Sequence, residues 1–420
     1  MAEESQSKRR KKSPMTRVIN VVAGFHVACV CLLLLGILTW LGTLEQADHT
    51  LLATTKKYFS YENFFLFPEF NGKTIPIPLP NGFWVGLVFF FNLLCGTILK
   101  VRRGIKQVGV LISHCGMLLM LVGAFVTQVM SQRGNMAIDE GEISNVAQHY
   151  TDHVIEVSGT EGDRITKVHV IAHKYLKDLK SGGQRMFRMK ALPFDVQVEG
   201  YEVNSMPLPV ESFDQEGLSE AEFIDGFALD GRETDKKEAE RDLAGCYVNI
   251  LDKSGTKLER VLLCSACVQP ATFTVEEKDY TITIRKSLWR VPFEIQLDKF
   301  THEFHPGTRR PRVFRSDITR IEEDGQTEKG IVQTEKVIRM NNPMRYEGFT
   351  FFQASWGPQN DPTATDFYSV FEVVKNPADH WPLVSLIITG VGLFVHFVMK
   401  LVLFIIKQME KNVRDKKIAA

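Results

Sequence analysis

The chain has 420 residues with 50 basic and 50 acidic side chains, so its formal net charge is zero. A neutral chain lacks the positive field that favours nucleic acid, and we expect no nucleic-acid partner. Both ends are apolar and the middle is polar, which is typical of a membrane protein that carries a soluble domain. Of the seven cysteines, three lie in the polar part: Cys246, Cys264 and Cys267. An odd number argues against a complete disulfide framework there.

Four apolar segments are long enough to be predicted as transmembrane helices. They are residues 18–44, 82–99, 108–130 and 381–406. Basic residues concentrate in the tail 1–17, in the loop 100–107 and in the tail 407–420. Because positive charge is retained on the cytoplasmic side, we expect both termini inside and the region 131–380 outside.

The predicted external parts differ in character. Residues 45–81 form a loop with an aromatic run and a proline-rich segment, which suits the membrane interface. Residues 131–380 read mainly as strands, for example at 153–159, 195–203, 280–284, 292–297 and 367–374. The acidic stretch 211–242 contains no clear strand, and we expect an exposed insertion or a partly helical loop.

An internal repeat suggests how the external region is built. The segment Leu192–Val198, LPFDVQV, resembles Val291–Leu297, VPFEIQL. Two unrelated strands that both begin after a proline would give a similar pattern. The shared glutamine and the acid after phenylalanine favour two related β-layers in one domain.

One histidine falls in each of three predicted spans: His26, His114 and His396. An intramembrane imidazole is costly unless it is paired, hydrated or ligated. A neutral histidine bonded to a neighbouring backbone carbonyl is one explanation, and an axial ligand for haem iron is another. His114 is the first choice, because Ser113, Cys115 and Gly116 are small enough for a flat ligand to approach. His26 and His396 are weaker candidates, because their surroundings match this small-residue context less well.

Other residues suggest chemistry less strongly. Cys264 and Cys267 have CxxC spacing, but their strand context favours a structural disulfide or reduced thiols over a redox pair. The pairs His149/His153 and His302/His305 are interpreted as surface histidines, and no metal site is predicted. A basic cluster could meet phosphates, haem propionates or an acidic partner, although a solvated face is the simpler explanation; it comprises Arg309, Arg310, Arg312 and Arg315. No nucleotide-binding or hydrolase motif is present.

Three local motifs resemble the ResB family, also called CcsB, of cytochrome c biogenesis proteins. The first is His114-x-Gly116 followed by GNMAIDEGE at 134–142. The second is the strand start Leu192-Pro193-Phe194, and the third is NPMRYEGFTFFQAS at 342–355. The order of three spans, an external β-rich domain and a final span is similar as well.

The resemblance implies a membrane subunit in a bacterial cytoplasmic membrane. Such a subunit would work with a ResC/CcsA-type multi-span protein to deliver haem and attach it to apocytochrome c. It would be non-catalytic alone, and a thiol reductant protein and membrane lipid are further expected partners. His114 is the position that corresponds to a transmembrane haem ligand. The alternatives are a scaffold domain without haem and a thiol-redox protein that uses Cys264 and Cys267.

Overall fold

The computed structural model describes residues 21–70, 73–99, 104–161, 164–179, 182–212, 222–234, 239–308, 311–323, 331–358 and 366–419. The chain forms two compact units. A helical unit comprises Met1–Ser131 and Asn376–Ala420, and a β-rich unit comprises Gln132–Lys375. The β-rich unit corresponds closely to the polar region 131–380 of the sequence.

The helical unit contains five α-helices in its described residues: α1 Phe25–Glu45, α2 Leu51–Phe59, α3 Gly82–Leu99, α4 Val108–Met130 and α5 Trp381–Ala419. Three of them, α1, α4 and α5, are long and apolar enough to cross a membrane. The apolar part of α3, Gly82–Ile98, is shorter, so the fourth span remains a prediction. Helix α5 continues past the apolar segment into the basic tail.

Helices α4 and α5 pack closely because small residues line the contact. The buried residues of α4 are Gly109, Ser113, Gly116 and Gly123. They face Gly392, Thr389, Ser385 and Trp381 of α5 in the reverse order, so the two helices run antiparallel. Small residues allow this approach within a membrane, where packing rather than the hydrophobic effect drives helix association.

The first predicted span is interrupted near its start. A turn at Ala23–Gly24 precedes α1, so the regular helix begins at Phe25. The buried side chain of Asn92, from α3, donates hydrogen bonds to the carbonyl oxygens of Val22 and Gly24, the latter at 2.9 Å. A side chain of the neighbouring helix thus donates hydrogen bonds to carbonyl groups at the break in the first span.

The loop between the first two spans is more ordered than the sequence suggests. It contains helix α2, whose N-cap residue Thr50 accepts a hydrogen bond from the amide of Ala53. The Tyr58 hydroxyl donates to the buried Glu45 carboxylate at 2.7 Å, and Lys57 binds the same carboxylate at 2.6 Å. These contacts attach α2 to the end of α1.

The described residues contain twenty strands. Four short ones lie in the helical unit: β1 Phe65–Leu66, β2 Glu69–Phe70, β3 Lys73–Thr74 and β4 Leu79–Pro80. The first eight of the β-rich unit are β5 Gln132–Asp139, β6 Ile143–Glu161, β7 Arg164–Ile171, β8 Gln184–Phe187, β9 Phe194–Glu202, β10 Ser205–Pro209, β11 Phe227–Gly231 and β12 Gly245–Asp252. The others are β13 Lys257–Cys264, β14 Ala271–Val275, β15 Lys278–Phe304, β16 Pro311–Glu323, β17 Ile331–Arg339, β18 Met344–Tyr346, β19 Phe349–Gly357 and β20 Tyr368–Lys375.

These strands form two main antiparallel sheets. A ten-stranded sheet has the path β17-β16-β15-β6-β5-β20-β19-β18, with β14 added to β15 and β7 to β6. A four-stranded sheet has the order β13-β12-β9-β8. The predicted strands 280–284 and 292–297 are parts of one long strand, β15, which bends at a register shift between Arg290 and Ile295.

Two hydrophobic cores lie within the β-rich unit. One includes Phe194, Val196 and Val198 of β9. The other includes Phe293, Ile295 and Leu297 of β15. The two copies of the sequence repeat therefore bury matching alternate residues, each copy in its own core. The relation between the two β-layers stays a prediction.

The expectation that residues 211–242 contain no strand is wrong. Strand β11 pairs with β10 in register from Ser205↔Gly231 to Pro209↔Phe227. Its short apolar centre, which includes the fully buried Ala228, is flanked by charged residues that conceal it in the sequence. Residues 213–221 and 235–238 of this segment lie outside the described residues.

Candidate functional sites

His114 is the seventh residue of α4 and is half-buried. Its Nδ1 lies 2.8 Å from the carbonyl oxygen of Val110, one turn earlier. Since a carbonyl only accepts, this contact requires the proton on Nδ1, and in the neutral ring the lone pair then lies on Nε2. Histidines that ligate metals through one nitrogen commonly donate from the other to such a carbonyl. The imidazole therefore has the tautomer that an iron ligand needs.

His114 lies on the side of α4 that faces away from α5. It follows Gly109 by five residues, which corresponds to about 140° around an α-helix. The small residues beside it have a role different from the one predicted, because Ser113 and Gly116 are buried against α5. They fix the position of the helix and are not open to a flat ligand.

A cavity of about 520 Å³ opens between α1, α2, α3 and α4. Its lining residues include Leu121, Phe125 and Gln128 of α4, and Gln128 supplies the single polar side chain among those in the described part of the chain. The volume lies within the ordinary range for small-molecule sites. Leu121 follows His114 by two helical turns, about 10.5 Å along nearly the same face. An apolar surface thus continues from His114 towards the other end of α4.

The structure does not bring the other two intramembrane histidines to the same face. The backbone of His396 packs against Gly109, on the α5 side of α4. His26 is the second residue of α1 and is exposed. Each nevertheless lies towards the end of the bundle where α1 and α4 begin. A bis-histidine site within this chain is therefore not preformed between His114 and His396.

Cys264 and Cys267 occupy a turn after β13, in which the amide of Cys267 donates to the carbonyl of Cys264 at 3.0 Å. Both thiols are free; Cys264 is buried and Cys267 is exposed. Burial raises the pKa of Cys264, and burial also raises the pKa of the neighbouring Cys246. An activated redox thiol needs a lowered pKa, so this environment disfavours the thiol-redox alternative.

An aromatic cluster, which was not predicted from the sequence, surrounds His302 in the β-rich unit. The imidazole stacks on the indole of Trp356 with ring centroids 4.5 Å apart, and Phe300 stacks on the same indole at 5.5 Å. Phe304, Phe314 and Phe367 complete the cluster. Phe304 is 41% exposed, so the cluster reaches the surface. Alternation along β15 placed Phe300, His302 and Phe304 on one face, which was the available signal.

The basic cluster is only partly within the described residues, because Arg309 and Arg310 lie outside them. Arg312 lies 3.6 Å from Glu303, and Arg315 lies 2.6 Å from Asp317. Exposed pairs of this kind contribute little stability. They do, however, reduce the positive field beside the aromatic cluster.

The segment 134–142 has a structural role. Met136 and Ile138 are buried in the core. The Glu140 carboxylate accepts a hydrogen bond from the amide of Phe300. The amide of Gly141, whose φ is 86°, donates to the carbonyl of Leu297 at 2.7 Å. The segment therefore holds β15 in place where the aromatic cluster begins.

Glu45, His49 and Glu69 form an acidic cluster with ligand atoms close enough for a metal ion. The ammonium of Lys57 lies 2.6 Å from Glu45 and 3.1 Å from Glu69. One ammonium therefore already pairs with both carboxylates and offsets half of their charge, and the cluster fits an ion-pair network better than a metal site.

The three apolar helices and the inserted β-rich unit define a membrane protein with a large β domain. Residues 271–366 match the model of the ResB-like family. The predicted ResB/CcsB-like resemblance is therefore confirmed over this segment, which is less than half of the chain. The segment contains the NPMRYEGFTFFQAS motif and most of the aromatic cluster, and the match suggests a role in cytochrome c biogenesis. No curated protein matches the chain.

Proposed function

We propose that this protein is the haem-handling membrane subunit of a cytochrome c biogenesis complex. The observation that carries the proposal is His114: an imidazole on an apolar helix, whose Nδ1 lies 2.8 Å from the Val110 carbonyl oxygen, so that Nε2 is the nitrogen that would face a ligand. The match to the ResB-like family gives this chemistry its context. A ResC/CcsA-type partner would complete the haem site.

The described helices offer a haem two features. His114 supplies an imidazole on an apolar helix, and two turns further along nearly the same face an apolar cavity begins whose polar side chain is that of Gln128. A buried porphyrin needs such surroundings, because water and charge would compete for the iron and its ligand. When bound, the haem supplies the vinyl groups that form thioether bonds with two apocytochrome thiols.

The protein's own contribution is positioning. Packing of Gly109, Ser113 and Gly116 against α5 fixes the rotation of α4, and the Val110 carbonyl fixes the His114 ring. Holding two reactants in a productive geometry removes much of the entropic barrier to their reaction. In the β-rich unit, the aromatic cluster around His302 supplies an extracytoplasmic surface for the apocytochrome. Both termini lie in the cytoplasm, as the basic flanking segments favour.

The test uses the full chain, co-expressed with a ResC/CcsA-type partner and purified in detergent. Absorption spectra are recorded oxidised and after dithionite reduction. We expect a Soret band that is lost in His114→Gly and returns when imidazole is added, because free imidazole replaces the missing ligand. His305→Ala, an exposed histidine, is the matched control and should keep the band. A partner-bound wild type without haem, or a His114→Gly variant that retains its Soret band, would overturn the proposal.

A further inference from the structure

The turn between β13 and β14 brings together the two cysteines of the CxxC sequence. Strand β13 ends at Cys264, and the amide of Cys267 donates a hydrogen bond to the carbonyl oxygen of Cys264 at 3.0 Å. A bond between the first and fourth residues is that of a β-turn, in which the two Cα atoms lie less than about 7 Å apart. The Cα atoms of disulfide-linked cysteines are usually about 4.4–6.8 Å apart. The backbone of this turn therefore suits a disulfide between its two ends.

The side chains of the two cysteines also interact. Burial is the main cause of the raised pKa of Cys264, and the charge of Cys267 and a hydrogen bond with its side chain raise this pKa further. The amide of Ala266, inside the turn, donates a hydrogen bond to Sγ of Cys264 at 3.4 Å. The sulfur atom of Cys264 therefore faces the turn that carries Cys267.

Cys246, the third cysteine of the β-rich unit, is not placed to compete for this position. In the pairing of β12 with β13, Cys246 stands opposite Leu263, and Cys264 stands opposite Gly245. Since successive side chains of a strand point to opposite faces, Cys246 and Cys264 lie on different faces of the four-stranded sheet. Cys246 and Leu263 both belong to the hydrophobic core. Register thus favours Cys267 as the partner of Cys264.

The two thiols of the turn differ in their access to solvent. Cys267 is exposed, and the neighbouring Val268 is 99% exposed, so a large molecule can reach the Cys267 thiol. Cys264 is 2% exposed, and its thiol donates to the carbonyl oxygen of Ser205 in β10 at 3.8 Å. An incoming molecule therefore meets Cys267 first, with Cys264 directly behind it.

We propose that Cys264 and Cys267 are an oxidation site, which closes into a disulfide when the β-rich unit meets a disulfide oxidant. The Cys267 thiolate attacks one sulfur of the oxidant, which breaks the S–S bond of the oxidant and releases its first thiol. Cys264 then loses its proton and attacks the Cys267 sulfur, which releases the second thiol. The two cysteines lose two electrons and two protons, and the oxidant gains them as two thiols.

This site differs from a thiol-redox catalyst. The pKa of Cys264 is raised, so its attack is slow, and the protein turns over no substrate. The closed ring runs only from Cys264 to Cys267, so its effect on the entropy of the unfolded chain is small. Exposed disulfides are more readily reduced than buried structural ones, and we expect closure to be reversible.

Closure has two consequences. It removes the thiol donor of the bond from Cys264 to Ser205, and so it changes the contact between β13 and β10. It also protects the exposed Cys267 from irreversible oxidation to sulfinic acid. The site is therefore a redox-sensitive contact within the β-rich unit, and it does not depend on His114 or on haem.

The experiment uses the full chain in detergent, first reduced and then equilibrated with mixtures of reduced and oxidised glutathione. Exchange is stopped with acid, free thiols are alkylated with N-ethylmaleimide in denaturant, and tryptic peptides are analysed by mass spectrometry. The peptide 261–278 contains Cys264 and Cys267, whereas Cys246 lies in the peptide 242–253. In oxidising mixtures we expect 261–278 to lose the mass of two hydrogens and to take up no maleimide, while Cys246 stays a free thiol.

Three variants separate the steps. Cys264→Ser should accumulate the mixed disulfide of Cys267 with glutathione, because no second thiol resolves it. Cys267→Ser should leave the buried Cys264 as a thiol. Cys246→Ser is the matched control and should close as the wild type does.

The folded structure should itself favour closure. The equilibrium constant for ring closure in the folded chain should exceed that of the same chain in denaturant by roughly tenfold or more, because the turn already holds the two cysteines together. A peptide 261–278 that stays reduced or carries two glutathione adducts in oxidising mixtures, a cross-link to Cys246, or closure no more favourable in the folded chain than in denaturant would overturn the proposal.

Discussion

Gly392 of α5 lies directly against Gly109 of α4: a methyl group at position 109 would stand 2.7 Å from the carbonyl oxygen of Gly392. A methyl group at position 392 would in turn stand 2.5 Å from the amide nitrogen of Ser113. In both cases the obstacle is backbone, which a rotamer change cannot relieve. The distance between α4 and α5 is therefore set by these two glycines.

Gly392→Ala should separate the two helices and lower the unfolding temperature of the full chain in detergent. Overpacking of this kind costs about 1–3 kcal/mol. The matched control lies two residues earlier, because a methyl group at Gly390 would meet no described atom within 4 Å beyond its own helix. Gly390→Ala should be neutral or slightly stabilising, since alanine favours helix by about 0.5–1 kcal/mol. Equal effects of the two substitutions would show that packing at Gly392 is not decisive.

The break before α1 gives a second prediction. Asn92→Leu removes the side-chain donor to the carbonyls of Val22 and Gly24, and the Gly24 oxygen then keeps the longer bond, 3.4 Å, from the amide of Ala28. We expect a loss of about 0.6–2 kcal/mol, the range measured for interhelical hydrogen bonds in membranes. Thermal unfolding in detergent measures it. Thr97→Val is the control, because the Thr97 hydroxyl bonds to Leu93 of its own helix. A larger loss in Thr97→Val than in Asn92→Leu would contradict the assignment.

The hairpin between β18 and β19 gives a third prediction. Its two turn residues, Glu347 and Gly348, have φ of 47° and 77°. Positive φ at both positions defines a type I′ turn, for which Asn-Gly is the preferred sequence. Gly348→Ala should destabilise the protein by about 1–2 kcal/mol because of Cβ strain, whereas Glu347→Asn should raise its stability. Chemical denaturation followed by Trp fluorescence distinguishes the two directions, and a stabilising Gly348→Ala would exclude this turn.

The thiols of the β-rich unit give a fourth prediction, on pH dependence. A raised pKa means that Cys264 has little thiolate at neutral pH, and its labelling should increase as the pH rises towards that pKa. Exposed Cys267 should react first with a charged, membrane-impermeant maleimide. Peptide mass spectrometry over a pH series gives both rates. If Cys264 reacted faster than Cys267 at pH 7, the thiol-redox alternative would regain support. Cys246, fully buried, is the internal control and should stay unlabelled.

The sequence by itself determined the elements that depend on local pattern. Apolar length predicted α1, α4 and α5, and two-residue alternation predicted strands such as β9 and β20. The three motifs, together with the order of spans and β-rich domain, indicated the family resemblance. The same local rules failed for β11 and for α2, where a few apolar residues stand between charged or polar neighbours and only their packing partners stabilise them.

Tertiary structure decided which residues meet. Ser113 and Gly116 looked like space for a ligand, but the return of α5 from the far end of the chain buries them. His149 and His173 each lie near Asp152 because β6 bulges against β15 and β7 folds back on β6. His302 meets Trp356 because β15 and β19 belong to the same sheet. Register, bulges and helix contacts arise from pairing between distant segments, and no local sequence pattern encodes them, whereas helix and strand periodicity requires only neighbours along the chain.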